Sequence, residues 1–149
     1  MTDEYAIRRV QVASYDRLTE NVESWGTRVY PYQAIAGDDY PYVVYFSNGS
    51  TDPQWRQRKD RNVLITFQCI SDDIEQAQEG AARIIELFDD VGRQDSGAVS
   101  GASPLAEGAS WFIQTTTAEL EISFAEPISN TQNLHHEGVQ IRFILGIQS

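Results

Sequence analysis

The only two histidines of the chain, His135 and His136, stand side by side in "NLHHEGVQIRFILGIQS". An imidazole pair suggests a metal ligand set or acid–base chemistry at neutral pH. Neighbours in an extended segment point to opposite sides, so the two rings cannot readily chelate one ion. No Cys pair or acid at ligand spacing completes a set, and no metal site is expected. The single Cys69 lies inside the apolar run "VLITFQC" with no fixed basic neighbour to lower its pKa, and reads as a small buried hydrophobe instead of a nucleophile. Serines occur in Gly/Ser-rich stretches without a strand-to-helix elbow. The paired acids Asp38 and Asp39, Asp72 and Asp73, and Asp89 and Asp90 fall at turns and helix ends, where capping explains them. "GRQDSGAVSGASPLAEGAS" is glycine-rich but lacks the Gly-x-x-x-x-Gly-Lys-Ser/Thr pattern and follows a helix instead of a strand. The residues therefore point to no catalytic group, no cofactor and no enzyme.

Charge is the next constraint. The 149 residues carry a net charge of −11. Residues 50–62 are the exception, holding Arg56, Arg58, Lys59 and Arg61 against Asp52 and Asp60. The remaining surface repels a phosphate backbone, so gripping nucleic acid is not expected. Met1 to Arg9 is polar, unlike a signal peptide, and no stretch approaches the roughly 20 apolar residues of a membrane span. A soluble protein made in a reducing, intracellular compartment fits best, long enough for one domain over 1–149.

The elements that must position these residues follow from periodicity. Ile7, Val10, Leu18, Val22 and Trp25 recur at helical spacing and predict a helix over Glu4–Trp25, capped by Asp3 and ended by Gly26, although "IRRVQV", with the β-branched Val10 and Val12, also reads as a strand. Pro31 and Pro41 exclude helix, and the aromatic, β-branched run Tyr40 to Phe46 predicts a strand. "NGSTDPQWRQRKDR" is polar and rich in turn formers. "NVLITFQC" then predicts a strand with Val63, Ile65 and Phe67 on one face, making a hairpin with a long exposed loop of about 15 residues, a length more often functional than not. Ser71 is the expected cap of an amphipathic helix whose stripe is Ile74, Ala77, Ala81, Ile84, Phe88 and Val91, stopped by Gly92. A flexible connector covers about 92–110. "WFIQTTTAELEISFAEP" predicts a strand that packs Leu120, Ile122 and Phe124 and wets Glu119, Glu121 and Ser123. A turn at the histidines launches the last strand, with Val139, Ile141, Phe143, Leu145 and Ile147 on one side.

The expected fold class is α+β: a mainly antiparallel sheet with two amphipathic helices packed on one face and a long β-hairpin loop. Trp55, set among the charges of that loop, has the look of an interface anchor.

At "TRVYPYQAIAGDDYPYVVYFS" the chain resembles the tail terminator, or tail completion, proteins of long-tailed bacteriophages. The likeness continues through "VLITFQCISDDIEQAQEGAARIIELF" and "HHEGVQIRFILGI", and covers most of the chain in its order of elements. The resemblance implies a structural virion protein, made in the host cytoplasm, that forms a hexameric ring. Such a ring ends tail-tube growth and joins tail to head, meeting the tail-tube protein on one side and a head-completion or neck protein on the other. DNA would pass through it without specific binding. Trp55, Arg56, Arg58, Lys59 and Arg61 would then serve subunit or tube contacts. His135 and His136 would lie in an inter-subunit contact whose charge changes with pH. Three alternatives stay open: a head-closure, neck or tail-tube protein of the same virion, a small hydrolase or ligand-binding domain, and a cellular protein-interaction module.

Overall fold

The structure is a computed structural model that describes residues 6–20, 22–32, 39–51, 60–89 and 111–147. Its elements are helix α1 (Ala6–Thr19), strands β1 (Val29–Pro31), β2 (Tyr42–Thr51) and β3 (Asp60–Ser71), helix α2 (Ile74–Phe88), and strands β4 (Trp111–Pro127) and β5 (Asn133–Ile147). The strands form one five-stranded sheet in the order β1-β2-β3-β5-β4. β2–β3, β3–β5 and β5–β4 pair antiparallel, whereas β1 lies parallel to β2. The α+β expectation stands at that level, but the sheet is mixed. The segment before β2 is too short in strand residues to announce itself in the sequence.

Both helices lie on the same side. Val10, Ala13 and Leu18 of α1 and Ile84, Leu87 and Phe88 of α2 share one buried cluster with Val43 and Tyr45 of β2, Val63, Ile65, Phe67 and Cys69 of β3, and Val139, Ile141, Phe143 and Leu145 of β5. Alternation of the apolar positions in β3 and β5 puts one complete face of each strand into this layer. At its centre Phe67 stacks on Phe88 at 4.6 Å, and Phe143 meets Phe88 edge-on at 5.9 Å. Such aromatic pairs add about 0.5–1.5 kcal/mol each beyond the area they bury.

α2 begins where Asp73, extended at its own backbone, accepts a hydrogen bond from the Glu75 amide at 3.0 Å. The cap is thus Asp73, two residues beyond the expected Ser71. Ser71 is the last residue of β3, and its hydroxyl accepts from the Asp73 amide and donates to Gln76. Ala77, Ala81, Ile84 and Phe88 face the core as the stripe predicts, while Ile74, in the first turn, is exposed. The helix ends at Phe88 with Asp89 as its C-cap, so Val91 and Gly92 lie outside the described residues.

α1 is shorter than its pattern. It stops at Thr19, and the chain turns over 24–27, where Gly26 has a positive φ of 58°. Trp25 still reaches the core, its indole N–H donating to the Leu18 carbonyl at 3.0 Å. Val22, freed from any helical face, is fully exposed. The apolar spacing there described a shared destination in the core and not a continuous helix.

The β2–β3 ladder continues to Thr51↔Asn62, through an irregularity between Ser47 and Gly49. Strand pairing therefore claims both flanks of the stretch read as one long loop. Residues 52–59, with Trp55, Arg56, Arg58 and Lys59, lie outside the described residues, as does the connector 92–110. Arg61 belongs to β3, paired with Leu145.

Candidate functional site

The helices cover one side of the sheet; among the described residues no helix covers the other. Registers across four strands fix the side chains that share that second face. One row runs Tyr42–Ile70–His136–Phe124, the next Val44–Gln68–Gly138–Ile122, and the third Phe46–Thr66–Gln140–Leu120. This face is apolar and aromatic for much of its width. Val44, Ile70 and Leu134 form a small buried cluster of their own, with Tyr42 and Phe46 against it. Toward β4 the face becomes open: Leu120 is 59% exposed and Phe124 48%.

β4 is the edge strand on that side, and its irregularities between Ile113 and Thr115 and between Ala118 and Leu120 set which side chains point where. A bulge re-aims the residues that follow it. After the second one, Leu120, Ile122 and Phe124 pair with Gln140, Gly138 and His136, positions on the face away from the helices. This overturns the expectation that these three pack inward. Period-two alternation identifies two faces but not which one the helices cover, and a bulge exchanges them.

The histidines are corrected in the same way. His135 and His136 are not a turn: both lie inside β5, opposite Ser71 and Ile70 in β3. The ladder on both sides of β5 holds that segment extended. His136 is sandwiched on the open face. Phe124 stacks on its ring, Glu126 lies 3.3 Å from Nε2, and Gln68 lies 3.3 Å from Nδ1. Their neighbour Gly138 is required by close packing, because a Cβ there would sit 1.9 Å from the Phe67 carbonyl oxygen. Nearby, Arg142 of β5 pairs with Glu119 of the bulge.

Two hollows open among the described residues. One, of about 390 Å3, lies between α1 and β1 and is lined by Arg8, Gln11, Tyr15, Asp16, Tyr32 and Tyr45. Burial first, then the nearby Tyr15, Tyr32 and Asp16, pushes the Tyr45 phenol above its ordinary pKa. Tyr32, at φ 68°, holds a left-handed backbone that a tyrosine seldom adopts, and its hydroxyl accepts from Gln11. The other hollow separates α2 from β4 and contains the buried Glu137.

Of the residues singled out by sequence as site candidates, the structure brings only His136 into a defined cluster, with Phe124, Glu126 and Gln68, none of which the sequence pattern marked as functional. Cys69 is fully buried under α2, and burial pushes its thiol up to about 12, far from a reactive thiolate. Among the described residues no three His, Cys, Asp or Glu side chains gather as a metal set, and no helix is long and apolar enough to cross a membrane. Set against models of protein families and against curated proteins, the chain matches none.

Proposed function

We propose that this chain is a non-enzymatic structural subunit of a phage virion, a tail terminator that assembles as a ring, hexameric by the resemblance, between tail tube and head. The observation that carries the reading is the apolar row ending in Leu120 and Phe124 on the edge strand β4. An edge strand with exposed apolar side chains is a surface that single soluble domains normally blunt, and one that a partner covers. The net charge of −11 suits a lumen through which DNA slides, since a negative wall repels phosphates across roughly a Debye length of 8–10 Å. The tail-tube protein and a head-completion or neck protein are the partners this role requires.

Light scattering coupled to size-exclusion chromatography, with and without purified tails, tests the reading. Rings in solution or ring-capped tails by electron microscopy are the expected result. A chain that stays monomeric, and leaves tails uncapped when they are supplied, would overturn it. A tube subunit would instead polymerise beyond one ring.

The tyrosine-lined hollow between α1 and β1 favours a second reading, a small ligand-binding domain. That reading requires a monomer or dimer and a saturable small-molecule ligand that protects the fold against heat.

A further inference from the structure

We propose that the hollow between α1 and β1 binds an organic cation that carries N–H groups, an alkylguanidinium or alkylammonium head on an apolar tail. The proposal rests on the reading of this hollow as a ligand site and names its ligand class. The head belongs either to a free small molecule or to a side chain of a neighbouring protein.

Tyr45 of β2 is the observation that points to a ligand. The residue is only 5% exposed and its ring lies 6.3 Å from that of Phe67 in the core, yet it lines the hollow. Its backbone carbonyl accepts from the Tyr32 amide at 2.8 Å, whereas its hydroxyl, among the described residues, has no hydrogen-bond partner. A phenol this deeply buried ordinarily finds one, because losing water without replacement is costly. Tyr15, Tyr32 and Asp16, which line the same hollow, act on the phenol electrostatically, so the hydroxyl is the end turned toward them.

The surroundings of that hydroxyl select the sign of the ligand. Tyr15, Tyr32 and Asp16 all oppose negative charge at Tyr45, and an environment that does so favours a cation. Asp16 is half-buried, and among the described residues no cation pairs with it. A carboxylate and phenol oxygens are acceptors, and a guanidinium or ammonium donates to several of them at once. The Tyr32 hydroxyl accepts from Gln11 Nε2 at 3.1 Å, which steadies an otherwise exposed ring. Its backbone, at φ 68°, carries the kind of strain that persists where a side chain is held for a purpose. Phenol rings add attraction for a cation through their quadrupole.

The rest of the hollow sets the tail. Val12 and Pro31 offer an apolar wall along which an aliphatic stem can lie. Arg8 lines the hollow two turns earlier on α1, about 12 Å from Asp16 by helix rise, and bars a second positive charge at that end. A volume of about 390 Å3 lies within the range of small-ligand sites.

The test titrates the isotope-labelled full chain with n-butylguanidinium and with n-butylammonium at low salt, followed by amide NMR. Saturable shifts at residues 11–16 and at Tyr32, with a dissociation constant in the millimolar range, are expected. Tyr45→Phe removes one oxygen and keeps the ring, and should weaken binding about fivefold; Asp16→Asn should weaken it about tenfold. n-Butyltrimethylammonium, which has no N–H, and the neutral n-butylurea should each bind about tenfold more weakly than n-butylguanidinium. Circular dichroism checks that each variant is folded, and Asp16→Asn, outside the core, keeps the test decisive if Tyr45→Phe unfolds. No saturable shift with either cation, equal binding of n-butyltrimethylammonium or n-butylurea, or unchanged affinity in a folded variant overturns the proposal. A different small molecule that shifts the same amides and protects the fold against heat, where neither cation binds, would overturn the cation and leave the ligand-site reading standing. Where the cation does bind, its source is read from tails: loss of capping in saturating n-butylguanidinium assigns the head to a neighbouring protein's side chain. Capping that persists, or a chain that never caps, assigns it to a free small molecule.

Discussion

The phenyl ring of Phe124 lies flat over the imidazole of His136, with centroids 4.3 Å apart and planes 10° from parallel. The pair links the edge strand β4 to β5 on the face that α1 and α2 leave uncovered, while nearly half of Phe124 stays in water. A half-exposed ring contributes little to the folding of one subunit; the stack is worth about 0.5–1.5 kcal/mol. Replacing Leu120 and Phe124 together by Ala is therefore expected to lower stability by no more than about 2 kcal/mol in urea denaturation while abolishing capping of tails. Capping at the wild-type level by this variant would remove the face from the interface.

Gly80 sits where α2 comes closest to the sheet. A Cβ at this position would lie 2.2 Å from the Cys69 sulfur and 2.9 Å from its Cβ, with the Trp25 ring 3.9 Å away. Gly80→Ala should gain a little helix propensity and lose more to overpacking, a net destabilisation of about 1–3 kcal/mol. Adding Cys69→Ala removes the nearest atom but not the second, so part of the loss should return. A double-mutant cycle by chemical denaturation measures the coupling, and strict additivity would show that the two residues do not meet.

The sequence was most legible where one periodicity ran uninterrupted. The stripe Ala77, Ala81, Ile84 and Phe88 and the alternations Val63–Ile65–Phe67 and Val139–Ile141–Phe143–Leu145 all face the core as their spacing requires. It was least legible where a local pattern depends on something distant. Val22 keeps helical spacing with Leu18 and Trp25, but the chain has already left the helix. Leu120, Ile122 and Phe124 alternate as core residues do, yet the bulge after Ala118 and the placement of both helices turn them outward. β1 holds its place through pairing with β2 and the burial of Val29 in the core, which three residues cannot advertise. The surroundings of His136 are assembled from β3, β4 and β5, and no linear motif records them.

Arg83 of α2 holds Glu23 with two parallel bonds, Nε to Oε1 at 2.9 Å and Nη2 to Oε2 at 3.0 Å. That fork raises the Arg83 pKa, chiefly through the hydrogen bond to Glu23, and ties the segment after α1 to the second helix. The Glu23 side chain is almost buried, whereas that of Arg83 is 40% exposed, so solvent screens the pair and limits its worth to about 1 kcal/mol. The asymmetry makes a sharper prediction than the mean. Arg83→Ala strands a buried carboxylate and should cost more than Glu23→Gln, and the double variant should cost less than the two single losses combined. Urea midpoints of the three variants decide it; equal single losses that simply add would mean that the pair is unimportant.

Cys69 predicts an alkaline limit to stability. Burial raises its thiol from 9.0 to about 12. The folded chain therefore keeps the neutral thiol in a range where the unfolded chain gives up the proton. The folded-state pKa is the higher one, so this contribution is complete below pH 9 and is lost as pH rises toward 12, at about 1.4 kcal/mol per pH unit. Tyr45, also raised by burial, adds to the loss above its ordinary value of 10.0. The wild-type urea midpoint should fall steadily above pH 9, and that of Cys69→Ala should fall less steeply over the same range, the difference in slope isolating the thiol. Parallel curves for the two proteins would mean that ionisation of Cys69 is not linked to unfolding.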